Sequence, residues 1–180
     1  MAEEVILVNE SDEQIGIMEK MEAHKQATLH RAFSVFIFNR KGEMLLQQRA
    51  ANKYHSGGLW TNACCSHPRP GENTEDAAAR RLMEEMGFST QLEKIFSFTY
   101  LWEFDNGLTE HEYDHVYTGT YESNITPNRD EVGDYCYKSL QSIADSIISH
   151  PSKYTAWFRI AFPRVEAWAK ANLLLPAMAS

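Results

Sequence analysis

At 180 residues, 43% of them apolar and 23% charged, the chain has the make-up of one folded domain, which excludes collagen-like, coiled-coil and disordered architectures. A chain of this length withdraws about 70% of its unfolded surface from water, enough for a core that can shelter a site. Seventeen basic against 25 acidic residues leave a net charge of −8, which attracts neither nucleic acid nor an anionic membrane, so any anionic ligand must meet a local basic cluster.

The opening, MAEEVILVNESDEQ, lacks a basic segment followed by a long apolar stretch, and no run reaches the ~20 apolar residues of a membrane helix. A cytoplasmic protein with no membrane partner is expected. Residues 5–8 form a short strand candidate. Residues 31–39, RAFSVFIFN, are aromatic and β-branched; Arg40-Lys41-Gly42-Glu43 turns them into a second strand at 44–49, and the pair reads as a β-hairpin. The following stretch, LWTNACCSHPRPGEN, carries two prolines and Gly71, which rule out a continuous helix or central strand and suggest an irregular segment reaching the surface.

A helix starts at Asn73 or Thr74 as N-cap, with Glu75 and Asp76 in its first turn, and stops at Gly87. Strand candidates at 91–104 and 110–121 flank the turn Asp105-Asn106-Gly107, and a short strand is expected at 135–137. Residues 139–149 place Leu140, Ile143, Ile147 and Ile148 at helical spacing, and 154–175 is an amphipathic helix in which Pro163 is the place where a break can fall. Strands around two or three helices indicate an α/β or α+β sandwich.

Three histidines stand early in the chain. His24 and His30 are six apart and share no helix face, and His67 follows Cys65 by two; each alone is more often structural than a ligand. Glu110 and Glu112, two apart on a strand, aim two carboxylates one way and His111 the other. Either they are a solvated edge or they require a cation, and with the three imidazoles they would make a mixed N/O site for an ion such as Zn²⁺ or Mn²⁺. Arg80 and Glu84, like Arg81 and Glu85, stand four apart, as in an ion-paired helix. A carboxylate cluster behind a rigid loop also suits Mg²⁺ and a diphosphate. Cys64, Cys65 and Cys136 are an odd set whose adjacent pair is poorly placed to bridge, so free thiols are expected.

Residues 66–88 resemble the Nudix box, G-x5-E-x7-R-E-U-x-E-E-x-G-U, with Glu72, Arg80, Leu82, Glu84, Glu85, Gly87 and Phe88 in place. Ser66 stands for its first glycine, and Arg81 for the glutamate after the arginine. The flanking Trp60-Thr61-Asn62-Ala63-Cys64-Cys65-Ser66-His67-Pro68 and Glu110-His111-Glu112 are similar to the two signatures of the type I isopentenyl-diphosphate delta-isomerases. His24, the stretch from Leu29 to Phe33, the stretch from Leu46 to Ala50, Tyr100 and Trp157 extend the resemblance over nearly the whole chain.

The resemblance implies a Nudix fold, mixed β-sheets sandwiched between α-helices, as a single domain over 1–180. It implies interconversion of isopentenyl and dimethylallyl diphosphate by protonation and deprotonation, in isoprene biosynthesis. Cys65 and Glu112 would exchange the protons, with Tyr100 bonding Glu112. His24, His30, His67, Glu110 and Glu112 would surround one Mn²⁺, Zn²⁺ or Mg²⁺, and Glu85 would share a Mg²⁺ with the diphosphate; no flavin is implied. Lys20, Arg49, Lys53 and Arg81 would grip the diphosphate and Trp157 face the cationic carbon. A cation beside Cys65 would favour some thiolate near neutrality. No nucleic acid is expected as a partner, and the chain should be a monomer or weak homodimer. A Nudix diphosphohydrolase and a catalytically silent metal-binding domain are the competing readings, the first opposed by Arg81.

Overall fold

The computed structural model describes residues 3–53 and 55–174. Strand β1 (Glu4–Val8) turns back as β2 (Gln14–Glu19). Asn9 Oδ1 accepts from the Ser11 and Glu13 amides, and Asp12 sits at a φ of 63°, so the side chain closes this hairpin locally. The sequence does not announce β2, because its Ile15 and Ile17 point outward and Gly16 interrupts its apolar pattern. Helix α1 (Lys20–Lys25) follows at once, capped by the Glu19 carboxylate on the Met21 and Glu22 amides. Six residues are too few for a helical period to show.

Strand β3 (His30–Phe38) is the centre of the molecule. Phe33, Val35 and Ile37 enter one core with Ala77, Ala78, Leu82 and Met86 of the helix α2 (Thr74–Met86). Phe36 and Phe38 enter a second core with Trp157, Phe158, Ala161, Phe162 and Val165 of the helix α4 (Ala156–Ala169). That alternation explains why nearly every residue of β3 is apolar. The turn to β4 (Met44–Arg49) forms as expected, but the strands pair only at Phe38↔Met44. The edges of β3 are taken by other strands, so β4 diverges to pair elsewhere.

The proline-flanked stretch is not a surface loop. It holds two short strands, β5 (Trp60–Thr61) on β4 and β6 (Cys64–Ser66) on β3, and Thr61, Asn62, Ala63 and Cys64 are buried. Its prolines all follow β6, so they end the strand rather than prevent it. Helix α2 has Asn73 as N-cap, accepting from the Glu75 and Asp76 amides. Gly87 closes it at a φ of 76°, where a Cβ would lie 2.2 Å from the Thr126 carbonyl oxygen, so only glycine fits.

Strands β7 (Glu93–Glu103) and β8 (Thr109–Thr120) form the expected hairpin, with Tyr100 opposite Glu112 and Trp102 opposite Glu110. β8 also runs parallel to β3, with His30 beside Glu112. β9 (Val132–Lys138) pairs with β4 and is longer than the 135–137 signal. Among the described residues the nine strands form one branched, mixed sheet.

Helix α3 (Leu140–Ser149) starts on a Ser139 cap. α4 starts on a Thr155 cap, continues through Pro163 and passes into a turn at Lys170–Leu174; Leu175, the expected end, lies outside the described residues. Pro163 does not break the helix. Pro163 costs about 3 kcal/mol, while Phe158, Phe162 and Val165 around it are fully or nearly fully buried and each contributes about 1.5–3 kcal/mol. No helix among the described residues is long and apolar enough to cross a membrane.

Candidate active site

His24 comes from α1, His30 from the start of β3, His67 from the residue after β6 and Glu112 from β8. All four are buried, and their ligand atoms lie within 4.8 Å of one another. His24 Nδ1 meets the Lys20 carbonyl at 2.7 Å and His30 Nδ1 the Thr28 carbonyl at 2.8 Å. A carbonyl oxygen can only accept, so both Nδ1 atoms carry hydrogen and both Nε2 atoms present lone pairs. His30 Nε2 stands 3.7 Å from Glu112 Oε1, and His67 Nε2 lies 3.0 Å from the same oxygen. Converging nitrogen lone pairs beside a buried carboxylate fit a divalent cation. Burial holds the His24 imidazole below its usual range and His67 at about 4, so both are in the neutral form that coordinates metal.

Glu110 turns the same way as Glu112, as the strand period requires, and His111 turns away to the Ala27 carbonyl. The Glu110 carboxylate groups with His24 and with His55, a residue that the sequence left unassigned. His55 follows Tyr54, which lies outside the described residues; its Nε2 is 3.3 Å from Glu110 Oε1. Burial and the nearby Arg49 charge hold its imidazole at about 3. Its only sequence signal was a histidine in a glycine-containing loop, a weak one.

Tyr100 Oη donates to Glu112 Oε2 at 2.7 Å and lies 3.1 Å from Glu110 Oε2. Two buried carboxylates so close do not both ionise. Burial raises both, but the His30 and His67 contacts outweigh it at Glu112 and hold that carboxylate well below its usual range. Burial and the Glu112 charge hold Glu110 well above it. A protonated Glu110 can therefore donate to the Tyr100 oxygen while Tyr100 donates to Glu112, and burial keeps the phenol protonated.

Cys65 is the cross-strand partner of Ser34. Its thiol donates to Asn62 Oδ1 at 3.0 Å and lies 3.5 Å from Ser34 Oγ. Ser34 in turn donates to Asp114 Oδ2 at 2.7 Å. Burial, with the Asp114 charge, pushes the Cys65 thiol well above its usual range. These groups by themselves favour the protonated thiol. Ser34 and Asp114 carry no motif chemistry of their own, and only the β3–β6 and β3–β8 pairings bring them to the thiol. Cys64 points into the α2 core, and Cys64, Cys65 and Cys136 are all free thiols.

Every predicted site residue except His24 and His30 lines one cavity of about 330 Å³, and those two stand behind it. Away from the histidines the lining turns cationic. Arg81 bonds Glu84 at 2.7 Å and Glu85 at 2.6 Å, Gln47 donates to Glu85 at 3.0 Å, Lys53 pairs with Glu131, and Lys20 pairs with Glu3 at 2.9 Å. Arg49 lies 5.2 Å above the Trp157 ring. Arg80 grips Glu72 through two bonds of 2.7 and 2.8 Å, bracing the loop before α2.

The mixed sheet with a carboxylate-bearing helix against its centre defines a Nudix domain, and the model of the NUDIX domain matches residues 28–158. Solved structures agree on the fold. A structure titled DR0079 from Deinococcus radiodurans has a TM-score of 0.75 at 17% identity, covering 90% of this chain and 98% of that one. A MutT protein from Methanosarcina mazei has a TM-score of 0.64 at 22% identity, covering 79% and 96%. The curated relatives are more specific. An isopentenyl-diphosphate Delta-isomerase from Pectobacterium atrosepticum is 51% identical over 93% of this chain and 94% of its own length. Another from Burkholderia multivorans is 45% identical, covering 94% and 99%. The chain belongs to the isopentenyl-diphosphate Delta-isomerase family, within the Nudix domains.

Proposed function

We propose that this chain interconverts isopentenyl and dimethylallyl diphosphate, with Cys65 and Glu112 as the proton-exchanging groups. One proton is added to the terminal alkene carbon, the third carbon becomes cation-like, and one proton leaves the second carbon, so the double bond moves while the diphosphate stays attached. The observation that carries this reading is that a thiol with its own hydrogen-bond partners and a carboxylate joined to a tyrosine line the same cavity.

Cys65 is oriented by Asn62 and Ser34, while Tyr100 keeps a proton within 2.7 Å of Glu112. Trp157, itself under Arg49, offers a ring face to developing positive charge. His24, His30, His67, Glu110 and Glu112 would hold Mn²⁺, Zn²⁺ or Mg²⁺, and Glu85 a Mg²⁺, which when bound would fix Glu112, tune its acidity and neutralise diphosphate charge. Lys20, Arg49, Lys53 and Arg81 would take the diphosphate oxygens, with Lys20, Lys53 and Arg81 exchanging their carboxylate partners for phosphate.

The test is NMR of the protein with isopentenyl diphosphate and Mg²⁺ in deuterated water, following alkene and phosphate signals together. Dimethylallyl signals with deuterium incorporation and no phosphate release are expected. Phosphate release with an unshifted alkene would replace this reading with hydrolysis.

A further inference from the structure

His55 makes a second buried ligand group with His24 and Glu110, its ligand atoms within 4.8 Å of theirs. Packing fixes its ring. It stacks on Phe104 with centroids 4.6 Å apart and planes 17° from parallel, and meets Trp157 edge-on at 5.8 Å. Between these contacts its Nε2 lies 3.3 Å from Glu110 Oε1. The other ligand group is His24, His30, His67 and Glu112, and the two groups share His24 alone.

That sharing has a stereochemical consequence. His24 Nδ1 is committed to the Lys20 carbonyl at 2.7 Å, so only Nε2 remains as a donor, and one nitrogen lone pair serves one ion. The two groups therefore cannot each hold an ion through His24 at once, and one ion drawing on both would meet six donors: four imidazoles and two carboxylates. Six N/O donors complete an octahedral first-row ion.

We infer that His55 is the sixth ligand of this ion, clipping its own segment of the chain to the metal centre and closing its coordination shell. The clip also sets the backbone two residues from Lys53, a cation of the same cavity. The inference rests on the metal-centre reading of the histidine and glutamate cluster and not on the reaction assigned to it.

The experiment adds Co²⁺ to metal-stripped protein and compares wild type with His55→Phe, which keeps a ring against Phe104 but carries no donor. His55→Ala is the second variant. Wild type should show the weak visible absorption of six-coordinate cobalt. Both variants should show a changed visible spectrum, as the imidazole is lost or replaced by water, and, in chelator competition, at least about a tenfold loss of affinity, since even partners outside the shell cost 10–100-fold. Identical spectra and affinities in all three proteins would overturn the ligand role of His55. A wild type that binds no cobalt would overturn the metal centre and this inference with it. Neither readout depends on turnover, so failure of the isomerase reading is recognised separately.

Discussion

Replacing Asn62 tests how the thiol is held. Asn62 is fully buried between β5 and β6. Its Nδ2 donates to the Val35 carbonyl at 3.0 Å and the Cys64 carbonyl at 2.9 Å, and its Oδ1 accepts from Thr61 at 2.9 Å and Cys65 at 3.0 Å. The two donated bonds fix which end of the amide faces the thiol. Asn62→Ala removes both donations and strands buried partners. Two net bonds at about 1 kcal/mol each, with about 1–3 kcal/mol for the groups left unsatisfied, predict a loss of about 3–5 kcal/mol. At 2–4 °C per kcal/mol for a chain of this size, the melting temperature should fall by roughly 6–20 °C. Asn62→Asp should be worse, because a carboxylate oxygen then faces the two carbonyls that the amide nitrogen satisfied. Thermal and urea unfolding followed by circular dichroism measures both. An Asn62→Ala change within about 0.5 kcal/mol of wild type would show that the amide network contributes little, and the argument that it positions Cys65 would fail with it.

Cys65→Ala should abolish isomerisation in the NMR assay while leaving metal and diphosphate binding within about twofold by calorimetry; retained turnover removes Cys65 from the mechanism. Arg81→Glu places a carboxylate beside Glu84 and Glu85 and should weaken inorganic diphosphate binding by at least about tenfold, or 1.4 kcal/mol; unchanged affinity refutes the role given to Arg81. Gly87→Ala drives a Cβ to 2.2 Å from the Thr126 oxygen at a left-handed φ and should cost about 2 kcal/mol or more in urea unfolding. The buried His115 imidazole, which donates to Asp12, is held below its usual range chiefly by burial and secondarily by the Lys94 charge. The unfolded chain therefore takes up a proton below about pH 6.5 that the folded chain refuses, so this contribution to stability is present above that pH and is lost as pH falls. His115→Gln should flatten the decline of the urea midpoint from pH 7 to 5; an unchanged slope refutes it.

Local chemistry was legible where a few neighbouring residues suffice. Asp105-Asn106-Gly107 specified the β7–β8 turn, Asn73 and Gly87 the ends of α2, and the two-residue spacing of Glu110 and Glu112 a shared face, all from contacts within a few residues. What escaped depends on distant pairings. Nothing in the residues around Ser34 says that Asp114, 80 positions on, will accept its hydroxyl, because that bond exists only once β3 and β8 run parallel. Asn62 looked like part of a loop because nearby prolines obscured that its own segment is a strand partner of β3 and β4. His55 lacked any helical or strand spacing to its neighbours in the cluster, and packing against Phe104 and Trp157 holds its ring toward them. Pro163 misled in the opposite sense, since the local penalty was visible and the apolar burial that offsets it was not.

The charges of the cavity explain why a scaffold shared with hydrolase folds suits a different reaction here. A hydrolytic Nudix box gathers carboxylates on its helix to assemble cations around a diphosphate. In this chain Arg81 occupies one of those positions and binds Glu84 and Glu85 instead, so the helix presents a balanced pair rather than an uncompensated anionic cluster. The buried polar groups lie elsewhere, among the histidines and the Glu110–Tyr100–Glu112 array, where the Tyr100 hydroxyl joins the two carboxylates. On the proposed reading, cations at the α2 end restrain an intact diphosphate while the β8 end handles carbon acidity. The β3–β6 pairing supplies the thiol between them. Separating the two tasks along one cavity requires only that β3 accept β6 and β8 on its two edges, which it does.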